Sequence, residues 1–142
     1  NELLNAIMAR YKRQCNNMGI AFTADIRSGV LNYMSDSDLT SLFCNLLDNA
    51  TEAAGKVPDS YIEVNICKRE NTPFVLITVV NSCRVNPFSN SGGKLISTKP
   101  DKHAHGFGTK SIKNVCKKYN GDIQMYYNEE ALTFHTIITI RS

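Results

Sequence analysis

The chain has 142 residues, 42% of them apolar and 20% charged, which suits one globular domain with a sizeable core. Its net charge of +3 is too mild for a nucleic-acid binder, and no apolar run is long enough to cross a bilayer. Five cysteines (Cys15, Cys44, Cys67, Cys83 and Cys116), odd in number and without a CxxC pair, read as reduced thiols of a cytosolic compartment. There is no signal-peptide pattern, and the chain opens inside a helical pattern without a starting methionine, so a piece of a longer protein is expected.

In chain order, Leu3, Leu4, Ile7, Met8 and Tyr11 form a helical stripe, which predicts a helix over about 2–16. After Gly19, the alternation of Ile20, Phe22, Ala24 and Ile26 predicts a strand with one buried side. Residues 28–35 lead into the most informative stretch, LTSLFCNLLDNATEAAG (39–55). Its Leu39, Leu42, Phe43, Leu46, Leu47, Ala50, Ala53 and Ala54 fall on one side of a helix, with Asp36 or Ser37 as N-cap and Gly55 as C-cap. Ile62, Val64 and Ile66 then alternate, and FVLITVV (74–80) is apolar on both faces, predicting a hairpin whose second strand is central.

Residues 81–105 show no periodicity and are rich in Ser, Asn, Gly, Pro and Lys, the composition of a functional lid or a disordered segment. Gly106-Phe107-Gly108 is expected to open a helix lined by Ile112, Val115, Cys116 and Tyr119 and closed by Asn120-Gly121. DIQMYY (122–127) and ALTFHTIITI (131–140) predict a closing hairpin. This order predicts an α+β fold, a two-layer α/β sandwich with helices on one face of a sheet.

Three features are more polar than packing demands. The first is a strip of Asn45, Asp48, Asn49 and Glu52 opposite the apolar side of the central helix. It fits either a solvated face or a hard cation held largely through phosphates, since Mg²⁺ accepts one or two protein oxygens and completes its shell with substrate and water. The second is the break after Val80, where an apolar strand ends in Asn81-Ser82. The third is Gly106-Phe107-Gly108, which suits either a tight turn or a backbone that phosphate approaches closely. The spacing around Lys110 excludes a Walker A loop, because Thr109 stands where glycine is required.

Together these residues resemble the GHKL ATP-binding (Bergerat) fold of gyrase, the ninety-kilodalton chaperone, MutL and the sensor histidine kinases. Asn45 to Ala50 looks like its N box, His105 to Asp122 like its G2 box with the trailing helix, and VVNSC like a G1 box in which aspartate-x-glycine has become Asn81-Ser82-Cys83. That G1 variant and the DNATEAA sequence are most similar to the AgrC-type quorum-sensing kinases.

The resemblance implies a mixed, mostly antiparallel sheet and a protein histidine kinase, a two-component transferase of signal transduction that uses ATP and Mg²⁺. It assigns Asn49 to the metal, Asn45 to the position where ATP-hydrolysing branches place a general base, and Asn81 to the adenine amino group. Gly106 and Gly108 would cradle the phosphates, within a cofactor-binding set that also includes Asp48, Lys102, His105, Phe107 and Thr109. Lys99, Lys102, His103 and His105 are equally compatible with facing phosphate or solvent. Residues 1–18 would be the end of a dimerisation-domain helix or linker, 19–142 the catalytic domain, and about 82–105 the ATP lid.

Partners implied are a histidine-bearing dimerisation domain of the same protein, a response regulator, and a second copy in the full-length protein. The location implied is the cytoplasmic part of a membrane-bound sensor, the isolated domain itself not being membrane-embedded. Glu52 stands where many sensor kinases carry a basic residue, and Thr109 replaces the usual leucine. The alternative is a non-catalytic nucleotide-sensing or docking module of the same fold.

Overall fold

The computed structural model describes residues 1–88 and 102–141, and of residues 102–108 it describes the backbone alone. Among the described residues, three helices, α1 (Glu2–Met18), α2 (Asp36–Ala54) and α3 (Lys102–Lys118), accompany five strands. The strands are β1 (Ala21–Ile26), β2 (Tyr61–Lys68), β3 (Phe74–Ser82), β4 (Asp122–Asn128) and β5 (Thr133–Arg141). They form one sheet in the order β1-β2-β3-β5-β4, so β3 is central as predicted. Only β1 and β2 pair in parallel, with α2 as the connection between them; the remaining pairings are antiparallel.

The helices lie on one side of the sheet because only one side is fully apolar. Ile62, Val64 and Ile66 of β2, Val75, Ile77 and Val79 of β3, and Ile138 and Ile140 of β5 are buried and alternate with half-buried or exposed neighbours. The expectation that β3 is apolar on both faces holds for its sequence but not for its burial. Its Phe74, Leu76, Thr78 and Val80 are only half-buried. Against the covered face pack Leu39, Leu42, Phe43, Leu46 and Leu47 of α2, the central helix, flanked by α1 and α3. The stripe of α1 (Leu4, Ile7, Met8, Tyr11, Cys15) joins the same core.

Some boundaries differ from the sequence reading. Ser35, not Asp36 or Ser37, caps α2, its Oγ accepting from the Asp38 N–H at 3.1 Å. Asp36 and Asp38 sit instead in the first turn, where their charge suits the helix dipole. β3 runs through Asn81 and Ser82, paired with Phe134 and Thr133, rather than breaking after Val80. The last strand starts at Thr133, because Leu132 adopts a left-handed φ of 55° and ends the turn. α3 begins at Lys102, so Gly106-Phe107-Gly108 lies within the helix and does not open it.

Candidate functional site

The polar strip of α2 keeps its helical spacing but its members have different duties. Asn45 is half-buried and donates through Nδ2 to the Ser41 carbonyl at 2.6 Å, which occupies its N–H on its own helix and leaves the amide oxygen as its acceptor end. Asp48 is exposed, and its Oδ1 accepts a 2.7 Å hydrogen bond from the Tyr11 hydroxyl of α1. Asn49 is half-buried, and among the described residues its carboxamide has no hydrogen-bond partner. Glu52, also half-buried, is engaged elsewhere in the protein.

Asn81 is more constrained. Two and four residues after the core residues Val79 and Ile77, it projects on the helix-covered face of β3, and it is 4% exposed. Its Nδ2 donates to the Ser82 carbonyl at 3.0 Å. Its Oδ1 has no partner among the described residues. A buried amide oxygen without a donor costs about 1–3 kcal/mol, so natural folds seldom leave one.

The residues after Asn81 hold the strand end in place. Ser82 Oγ accepts from the Tyr61 N–H at 2.9 Å, tying the end of β3 to the start of β2. The Cys83 N–H donates to the Leu132 carbonyl at 2.8 Å, while the Tyr127 hydroxyl donates to the Cys83 carbonyl at 2.7 Å. Burial pushes the Cys83 thiol above its ordinary pKa, so it stays protonated and packs as a small apolar group. Ser82 stands out in the sequence only as part of Asn81-Ser82-Cys83, without this role, and Tyr127 does not stand out at all. The serine's position in NSC was a usable signal, and the tyrosine's was not.

α2 packs against both β3 and α3, so the helix carrying Asn49 neighbours the strand carrying Asn81 on one side and the helix carrying the glycine segment on another. Thr109 is half-buried on α3 and engaged within the protein. The side chains of Lys102, His103, His105 and Phe107 lie outside the described residues, as do Lys99 and most of the expected lid. Gly106 and Gly108 are described only as helical backbone. Among the described residues there is no cluster of three His, Cys, Asp or Glu able to hold a metal, and no helix long and apolar enough to cross a membrane.

Comparison with solved structures gives the same fold at low sequence identity. The catalytic domain of the histidine kinase ThkA is 20% identical, with 99% of this chain and 91% of that one covered at a TM-score of 0.73. A mycobacterial sensor histidine kinase, MprB, is 17% identical, with coverages of 99% and 93% and a TM-score of 0.71. The Acinetobacter baumannii histidine kinase AdeS is 12% identical over 99% of this chain and 63% of its own, at a TM-score of 0.68. Comparison with curated protein sequences gives no significant match. A family model described as the GHKL domain matches residues 34–140, from the residue before the Ser35 cap to the penultimate residue of β5. That match takes in the α2 strip, Asn81 and the whole of β2 to α3, and the chain belongs to the GHKL domain family.

Proposed function

We propose that this chain is the ATP-binding catalytic domain of a two-component sensor histidine kinase, related to the AgrC type. The observation that carries the reading is the buried Oδ1 of Asn81, which has no partner among the described residues. An amide oxygen there accepts from an exocyclic amino group, which adenine has and guanine lacks on the equivalent carbon. A carboxylate would accept more strongly, by about 1 kcal/mol, so nucleotide binding is weak.

The donor set fits a metal held mainly by its substrate. Asn49 offers one neutral oxygen without a partner among the described residues, too little for a resident ion but sufficient for Mg²⁺ already carried by phosphates. When bound, that ion neutralises phosphate charge. Asn45 cannot take a proton from water, so the site spares ATP from hydrolysis and keeps the γ-phosphoryl for another acceptor. In the transfer, a histidine ring nitrogen attacks the γ-phosphorus as the bond to the β–γ bridging oxygen breaks and ADP leaves.

The acceptor histidine belongs to a dimerisation domain, for which α1 serves as the terminal helix or linker. The phosphoryl then passes to a response regulator, and the full protein works as a homodimer whose catalytic part faces the cytoplasm. Lys102, His105, Gly106, Phe107, Gly108 and Thr109 complete the phosphate side, the glycines by leaving the helix bare of Cβ. The lid spans about 82–105 in this reading, although its last residues share α3.

Incubating the chain with labelled ATP, Mg²⁺ and a separately supplied dimerisation domain tests the proposal. Label on the histidine is expected. Tight Mg-ATP binding without label would leave a nucleotide-sensing module, and indifference to nucleotide would leave a docking scaffold. Asn49→Ala should weaken Mg-ATP binding by about tenfold, the worth of one charge-assisted contact, while hardly changing metal-free ATP binding.

A further inference from the structure

The inference rests on the nucleotide-site reading and concerns how that site is held. Every member of the α1 stripe is apolar except one. Tyr11 has no exposed surface, and phenylalanine would fill the same space without burying a hydroxyl. The hydroxyl donates to Asp48 Oδ1 at 2.7 Å and lies 3.2 Å from the Cys44 carbonyl, both on α2. A phenol has one proton to give, and the shorter bond runs to the carboxylate. Burial, reinforced by the neighbouring carboxylate, raises the phenol pKa well above its ordinary value, so the proton stays on Tyr11.

Asp48 immediately precedes Asn49 and lies three residues after Asn45. Asp48 is an exposed residue, and a negative group on that turn opposes a triphosphate by simple Coulomb repulsion. Bound to Tyr11, the charge is directed at α1. Released, it is free to turn about its side-chain bonds toward the neighbouring asparagines. We propose that Tyr11 is a positioning residue for the nucleotide site, holding Asp48 against α1 so that the site senses how α1 is seated. α1 is also the helix through which the reading above connects this domain to its phosphoacceptor. Its seating and nucleotide affinity are then thermodynamically linked, and each alters the other by the same factor.

The test is a nucleotide titration of the whole chain as unaltered protein, Tyr11→Phe, Asp48→Ala and the double variant. Tyr11→Phe should weaken Mg-ATP binding about five- to tenfold, the lower end of a typical coupling between two sites. In the Asp48→Ala background the same change should alter affinity by less than about twofold, because the group it orients is gone. Equal losses in both backgrounds, or no loss in either, overturn the proposal while leaving nucleotide binding intact. Failure of the unaltered chain to bind Mg-ATP overturns both this and the nucleotide-site reading. Should Tyr11→Phe not fold, hydrogen exchange on the unaltered chain decides the matter. Saturating Mg-ATP must slow exchange of the α1 amides, and unchanged α1 protection sinks the linkage.

Discussion

The Tyr119 hydroxyl at the end of α3 donates to Asp38 Oδ2 in the first turn of α2, residues 81 apart in sequence. Lys118 Nζ lies 2.9 Å from the same oxygen, and the Ser35 N–H reaches the Tyr119 hydroxyl at 3.3 Å. One carboxylate thus pins the start of the central helix to the end of the helix beside it.

That clasp predicts an acid-labile share of stability. The Tyr119 hydrogen bond first, then Lys118, holds the Asp38 carboxyl below its ordinary range. The unfolded chain therefore takes up this proton more readily than the folded one. The clasp's contribution is whole above the unfolded pKa of about 4 and fades as pH falls through the folded value. Tyr119→Phe should cost about 1–2 kcal/mol at neutral pH. Urea midpoints of variant and parent should converge below pH 4. An offset that persists at pH 2 would place the hydroxyl's effect in its contact with Ser35 or in packing instead.

Asn81→Asp separates folding from binding. The substitution removes the N–H that Ser82's carbonyl accepts and buries a carboxylate facing that carbonyl. Without nucleotide the thermal midpoint should fall, by about 1–3 kcal/mol of stability. With ATP the affinity should rise about fivefold, since a carboxylate accepts the adenine amino hydrogen more strongly. A variant that is destabilised and binds ATP no better would remove adenine recognition from this residue. Calorimetry on both proteins gives the comparison.

Gly121→Ala should destabilise the C-terminal hairpin. A Cβ there would meet the Thr139 carbonyl oxygen and Ile140 Cγ2 at 2.6 Å each, and the backbone oxygen cannot swing aside. A loss of about 1–3 kcal/mol is expected, as for overpacking in a core. The neighbouring Asn120 holds the left-handed φ of 52°. Asn120→Gly should therefore be tolerated, and a comparable loss in both variants by thermal denaturation would show that the turn, not the contact, is at fault.

Much of the architecture was legible in the residue pattern, for a local reason. The stripe from Leu39 to Ala54 and the alternations at 62–66 and 75–79 each specify an element and its buried side without reference to any other element. The central place of β3 followed from its unbroken apolar run. Helix ends were less legible. Ser35 outcompeted Asp36 as the cap, and Asn120 took the left-handed role expected of the Asn120-Gly121 pair while Gly121 provided the close approach.

By itself, the sequence determined which side chains carry the polar chemistry and which side of each element is apolar, because periodicity and residue type are properties of a single segment. Only the tertiary structure decided what each polar group does. Asp48 and Asn49 are adjacent on one helix, yet one is bound to Tyr11 of α1 and the other has no partner among the described residues. Asn81 reads in the sequence only as a polar residue ending an apolar run, and becomes a buried oxygen with no donor among the described residues only when α2 lies over β3. Whether a hydrogen-bonding group is satisfied depends on neighbours brought in from distant parts of the chain, and that information exists only once the layers have packed.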